Sequence, residues 1–481
     1  MNGRLPAKWP FTRRELIVLL LGFVLTLPFV TARIYASDEI QYFAWLRSLA
    51  FDRDVDFENE YQRFYDAGLG GGELFRETFL VRQNEAGRRE NYGPIGSAIL
   101  WAPFYAVGHV VALATGAPAD GYSQPYISAV AHGSAVYGTL AVVLSAAIAR
   151  RLVGRGIAAS LVVCFGTPLV FYIYIAPPMS HANSAFAVAL FLWVWLRVRE
   201  TWSVGGVAWL GAVGGLMAMV RDQDLFFVAG PALDFLGFLR RARGTRSGHA
   251  ASARRGLPVV TPIAAALTFV AAYTPQLLAS SALHGHLGPS QVVARKMTWT
   301  SPHGLQVLFS PAHGFFAWTP LALVAIAGLV LLALGRTPVQ PASGAPSTVS
   351  RDEAAWLGLL ALILVALQAY VSGAVESWTV AGSFGQRRFV SLTPILTVGV
   401  AALLAWVSTA RGRFMVSFLL ALCVWWNIGL MVQFGTHTMD RQRLTLKQNA
   451  WTTFAVLPRE APVLVWRYLT DRSSFYNNPR R

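Results

Sequence analysis

An all-α, multi-pass membrane protein is the fold class this sequence predicts, and three observations carry it. Apolar runs of about 18–24 residues, long enough to cross a bilayer, recur along the 481-residue chain. Charged residues make up only 13% of it, against roughly 25% in soluble domains, and the mean hydropathy is +0.46. The basic residues lie mostly between the apolar runs. That distribution also excludes nucleic acid as the partner suggested by the net charge of +16. Lysine occurs only at Lys8, Lys296 and Lys447, and the arginines stand where membrane topology wants positive charge.

The elements follow in order. Arg13-Arg14 precede the first run, 15–35, which lacks a small-x-small cleavage site before Arg33 and reads as a retained helix. Arg150, Arg151 and Arg155, then Arg197 and Arg199, the cluster from Arg240 to Arg255, Arg336, and Arg411 with Arg413 mark later loops. All should be cytoplasmic by the positive-inside rule. If 94–114 also crossed, Arg150-Arg151 and every later basic loop would be inverted. The segment carries Pro94, Trp101, Pro103 and Tyr105, which suit an interface and interrupt a long helix. It is therefore expected to lie along the external surface.

The spans are then 15–35, 125–149, 156–176, 181–198, 204–220, 224–239, 257–280, 314–334, 355–373, 391–409 and 414–434. This bundle of about 11 helices has its N-terminus inside and interfacial helices in a long first external loop, 36–124. Residues 1–434 form the bundle and 435–481 an external tail. Cys164 and Cys423 both sit within apolar runs, which argues against a disulfide framework and a zinc site.

The residues that suggest chemistry fall on the external face. Asp38 and Glu39 come directly after the first span, where a partly desolvated carboxylate can serve as general base. Ser37 or Asp38 could equally cap the helix-like stretch 40–46. Asp38 and Glu39, or Asp52, Asp54 and Asp56, could hold Mg²⁺ or Mn²⁺. His313 stands at the mouth of a helix. Arg387 and Arg388 break the positive-inside trend beside Gly382 and Gly385, which suits a phosphate. Arg295 and Lys296 offer a second phosphate or lipid contact. His181 and Arg221, on short external turns, could support the site.

These residues resemble a known family. The acidic pair Asp38-Glu39 after the first span, the interfacial segment from Tyr92-Gly93-Pro94 to Ala112, the span ending Ala149-Arg150-Arg151, and the stretch from Arg387-Arg388-Phe389 to Pro394 resemble the GT-C superfamily of polyprenyl-phosphate-sugar-dependent glycosyltransferases. The likeness is to the bacterial relatives of protein mannosyltransferases and of the lipid A aminoarabinose transferase. It implies a GT-C-like bundle in the bacterial inner (plasma) membrane, with its active site on the external, periplasmic face. The reaction implied is inverting hexosyl or pentosyl transfer from a polyprenyl-phosphate-linked sugar to an envelope glycan, lipid or protein. Asp38 matches the family's catalytic carboxylate, and Arg387 or Arg388 its donor-phosphate contact. Gly93-Pro94 replaces the double proline of some relatives, and no large soluble domain follows the bundle, so the acceptor stays open. A transporter, a lipid flippase or a non-catalytic envelope-assembly protein is the competing expectation. Transporters, however, place charge near the midplane and often show related halves, neither of which is found here.

Overall fold

The computed structural model describes residues 10–244, 257–339, 349–380 and 382–475. The protein is 74% helical, with no strand among those residues. Among the described residues, seven helices are long and apolar enough to cross a membrane: 96–115, 124–153, 181–198, 260–284, 351–374, 387–406 and 410–435. Three shorter apolar helices, 157–166, 204–220 and 321–333, accompany them. A helix satisfies all of its backbone polar groups internally, which hydrocarbon surroundings require.

The principal helices are α1 (Arg13–Thr26), α2 (Ser37–Arg47), α3 (Glu58–Asp66), α4 (Gly96–Thr115), α5 (Gln124–Val153), α6 (Ile157–Gly166), α7 (Leu169–Tyr174), α8 (His181–Val198) and α9 (Val204–Val220). They continue as α10 (Ala229–Gly244), α11 (Leu257–His284), α12 (Leu321–Ala333), α13 (Arg351–Ala374), α14 (Thr393–Trp406), α15 (Ala410–Gly435) and α16 (Leu457–Thr470). Several expected spans are broken. Thr167-Pro168 divides α6 from α7, and Thr319-Pro320 precedes α12, because proline withholds a helical donor. At the centre, α14 buries nearly its whole surface against α5 and α12.

The basic loops gather at one end of the bundle. There Arg150 pairs with Glu15 at 2.6 Å and Arg151 pairs with Glu200. Arg199 donates to the buried Asp234 at 2.7 Å, and Asp234 also accepts from Trp195 and Trp356. The end loops thus meet their charges with partners, which a buried carboxylate needs.

The segment expected to be interrupted, 94–114, is instead one continuous helix, α4, of membrane length with Pro103 inside it. Packing carries it past the proline. Trp101 donates to Ser134 at 2.8 Å, and the Tyr137 hydroxyl to the Leu100 carbonyl at 2.8 Å. Its start is tied to the far end of α11, where the Ile95 amide donates to Gln276 at 2.9 Å. From there it runs antiparallel to the first half of α5, away from the Arg150 end. An aromatic core from α2, α3 and α4, including Phe43, Trp45, Phe57, Tyr61 and Tyr105, holds the first long loop together.

The tail after 435 packs back onto the start of the chain. Tyr468 donates to the Phe29 carbonyl at 3.0 Å, and Arg472 to the Val30 carbonyl at 3.1 Å and to that of Pro28.

Candidate functional site

Asp38 is positioned by what its neighbour does. After a 3-10 turn, Leu27–Phe29, the chain is extended, and the Thr31 amide donates to Tyr174 at 2.7 Å. The helix α2 then begins on Ala36. Its cap comes from Glu39, which reaches back to accept from the amides of Tyr35 at 2.6 Å and Ala36 at 2.9 Å. Neither Ser37 nor Asp38 is the cap. Burial pushes the Glu39 carboxyl up to about 7, although the two amides and Arg33 pull against that shift. Glu39 is thereby committed to the backbone, and Asp38, one residue earlier, faces away from it.

The partner of Asp38 comes from the other end of the sequence. Arg387 opens a 3-10 turn, Arg387–Leu392, that leads into α14, and its Nη1 stands 2.7 Å from Asp38 Oδ2. The loop before it is tightly specified. Gly385 has φ +62°, and a Cβ there would lie 2.5 Å from the Pro168 ring. Tyr172 donates to the Phe384 carbonyl at 3.0 Å. Gln223 and Gln368 both donate to the Arg388 carbonyl at 2.8 Å, while the Arg388 guanidinium donates to Ser377 Oγ at 3.2 Å and to its carbonyl at 3.1 Å.

A third arginine joins them. Arg221, just past α9, bonds to the buried His181 ring, which lies 4.3 Å from the Tyr172 ring. Tyr42, one helical turn after Asp38, accepts from Ser180 at 2.9 Å. Burial raises its phenol, and Arg221, Asp38 and Arg387 are the charges that act on it. The cluster is therefore Asp38, Tyr42, Tyr172, His181, Arg221, Arg387 and Arg388. Tyr42 and Tyr172 were not anticipated from sequence. Tyr42 was findable, since position i+4 shares a helix face with position i.

No protein-family model matches this chain, and no curated protein matches it.

The other expected site residues stand apart from the cluster or beneath it. Arg295 donates to Gln291 at 3.0 Å, and Gln291 in turn donates to Glu85 of the first loop at 2.6 Å. Lys296 meets the Arg387 loop through its backbone, its carbonyl accepting from the Glu376 amide at 2.8 Å. His313 is wholly buried under that loop, with φ +62° and its ring stacked 4.5 Å from Trp318. Its carbonyl accepts from Gln386 at 3.1 Å, and burial pushes its ring down to about 4, so it is neutral.

The carboxylates each have other partners here. Asp38 faces a guanidinium and Glu39 faces amides. Asp52 pairs with Arg47 and accepts from Asn59 at 2.7 Å; Asp54 accepts from Ser48 at 2.7 Å; Asp56 accepts from the Glu58 amide at 3.2 Å. The Asp54 and Asp56 bonds are turn contacts, and those of Asp52 are an ion pair and a side-chain bond. Among the described residues, no three of His, Cys, Asp or Glu gather as metal ligands.

One opening touches the cluster through Tyr172, and a second adjoins the first. A cavity of about 160 Å³ is lined by Glu39, Tyr172, Ser383, Arg33 and Arg441 together with apolar side chains. An apolar groove of about 390 Å³ runs between α1, α7, α15 and α16 past Phe29, Tyr174, Met431 and Leu464. The two share Ile175, Gly435 and Phe475 as a common wall.

Proposed function

We propose that this protein is an inverting membrane glycosyltransferase of the GT-C type. It moves a sugar from a polyprenyl-phosphate donor to an envelope lipid, glycan or protein on the external face of the bacterial plasma membrane. The observation that carries the reading is the Asp38–Arg387 pair, 2.7 Å apart, with Arg388 and Arg221 beside it. A carboxylate paired with one guanidinium and flanked by two more suits a general base next to a phosphate site. The apolar groove leading to the neighbouring polar cavity suits an isoprenoid chain that carries such a phosphate.

In the resting protein Arg387 neutralises Asp38. A donor phosphate drawn to Arg387 and Arg388 competes for the guanidinium and leaves Asp38 Oδ2 to accept the acceptor's hydroxyl proton. The acceptor oxygen bonds to the anomeric carbon as the bond from that carbon to the phosphate oxygen breaks, with inversion. The proton ends on Asp38 and the new negative charge on the departing polyprenyl phosphate, where the arginines face it.

Purified protein given labelled polyprenyl-phosphate sugars and extracted envelope lipids should move label from one donor to one class of acceptor. Folded protein that transfers from no donor would sink the reading. Because Asp38 and Glu39 already have other partners, turnover should persist in excess chelator. Loss of activity restored by Mg²⁺ or Mn²⁺ would instead assign a cation to Asp38.

The topology in this reading has the basic loops in the cytoplasm and the Asp38 cluster outside. It is supported by the gathering of Arg150, Arg199 and their partners at one end, and by the course of α4 away from that end. Reporters fused in the 241–254 linker should read cytoplasmic, and those at 88, at 120 and at the C-terminus external. Opposite sides for 88 and 120 would reject it, because α4 would then cross.

A further inference from the structure

The cavity of about 160 Å³ that touches the Asp38 cluster through Tyr172 has a lopsided charge. Arg33, Arg441 and His437 line it, and Glu39 is the one acid among the lining residues. That carboxylate is already taken by the amides of Tyr35 and Ala36. The lining therefore carries an excess of positive charge, and paired guanidiniums suit a phosphate.

The two arginines arrive from helices that wall the neighbouring apolar groove. Arg33 follows α1 and its 3-10 turn, and its guanidinium lies 5.2 Å from the centre of the Tyr35 ring. Arg441 follows α15. Its Nε and Nη2 donate to the Phe434 carbonyl at 3.2 and 2.9 Å, and the same Nη2 lies 3.3 Å from His437 Nε2. Those bonds fix the guanidinium and do not use its Nη1. The groove and the cavity share Ile175, Gly435 and Phe475, so a chain lying in the groove brings its head to these arginines. Beyond them the cavity is bounded by Tyr172 and Phe384. The Tyr172 hydroxyl donates to the Phe384 carbonyl at 3.0 Å, and the charges of Arg387, Arg221 and Asp38 act on that phenol. Three stations thus follow one another: the apolar groove, the cavity of Arg33 and Arg441, and the Arg387 cluster. A donor with a single phosphate at Arg387 would lay hydrocarbon against the guanidiniums of the middle station, which is a costly match.

We infer that the cavity holds the inner phosphate of a polyprenyl diphosphate: the isoprenoid chain lies in the groove, the phosphate bonded to it meets Arg33 and Arg441, and the outer phosphate meets Arg387. This rests on the transfer reading above and adds a second phosphate to its donor. The acceptor oxygen still bonds to the anomeric carbon, and the bond from that carbon to the outer phosphate oxygen breaks. The acceptor's proton goes to Asp38, and polyprenyl diphosphate leaves with the new negative charge.

Binding can be read apart from transfer as the unfolding midpoint of the full-length protein in detergent, with geranylgeranyl diphosphate, geranylgeranyl monophosphate or inorganic pyrophosphate added. A ligand that binds only the folded state raises that midpoint. The lipid diphosphate should raise it clearly more than the lipid monophosphate at equal concentration, and pyrophosphate should raise it least. Arg33→Gln/Arg441→Gln should abolish the difference between the two lipids; Arg33→Gln alone should narrow it if the double variant does not fold. In transfer, a diphosphate-linked sugar should outpace the monophosphate-linked one by about tenfold or more, the worth of one charge-assisted contact, and the arginine changes should bring that ratio towards unity. Equal midpoints with the two lipids overturn the inference, as does a difference that survives the arginine changes. A pyrophosphate response as large as that of the lipid diphosphate makes this a free-anion site and overturns it too. Faster transfer from the monophosphate donor overturns the second phosphate and leaves the transferase standing. A diphosphate preference in binding, with transfer from neither donor, keeps the site and removes the transferase.

Discussion

Asp38→Asn should reduce sugar transfer about 10²–10⁴-fold, the usual contribution of a positioned general base. Asparagine keeps the shape of the side chain and a hydrogen bond to Arg387 but cannot take up the acceptor's proton. The unfolding midpoint should move little, because the Asp38–Arg387 pair is partly exposed and pairs of that kind contribute little to stability. Glu39→Gln is the informative control. Glu39 holds two backbone amides at the start of α2, so its replacement should weaken the helix start and lower activity less than Asp38→Asn does. Wild-type turnover by a folded Asp38→Asn protein would remove the base from the mechanism.

The second large effect belongs to the arginines. Arg387→Ala removes both the partner of Asp38 and one charge-assisted contact to the donor phosphate. A lost contact of that kind is worth about 1.5–3 kcal/mol, or roughly ten- to a hundredfold in binding or rate. Arg387→Lys should recover only part of this, because an ammonium cannot reproduce a two-pronged contact. Arg388→Ala should do less alone, since two glutamines hold that residue through its carbonyl whatever its side chain. The decisive measurement is donor affinity and turnover for Arg387→Ala/Arg388→Ala. Values equal to wild type for both would make these arginines lipid anchors and move the donor site elsewhere.

The long helices were legible because hydrocarbon leaves few choices: an apolar run of that length must close its own hydrogen bonds. The breaks at Pro168 and Pro320 were harder to see, since a proline alone does not say whether its neighbours will carry the helix through. Pro103 shows the opposite outcome, with α5 packed alongside. Asp38 and Arg387 were each visible as charge at a helix mouth. Their pairing was not, because it depends on how helices distant in the chain come together. For Arg295 and Lys296 the limit is the same: loop position says which end of the bundle a side chain occupies and not which way it turns. His313 resembles a site residue in sequence, but its ring is buried in the packing beneath the site. Glu39 was visible as an acid but is committed to the backbone three residues before it, a local pattern that could have been read from its place at the third position of α2.

The contacts of Tyr468 and Arg472 with the carbonyls of Pro28, Phe29 and Val30 join residues 439 to 444 positions apart in the chain. α16 and the turn after it rest on the end of α1, and Phe475 walls both the polar cavity and the apolar groove beside it. Until α16 has been made, that edge of α1 therefore stays uncovered. A chain halted after α15 would carry the whole bundle, Asp38 and Arg387 included, yet present a trough with one side missing. Truncation after α15 should thus yield protein that inserts but cannot retain a bound chain.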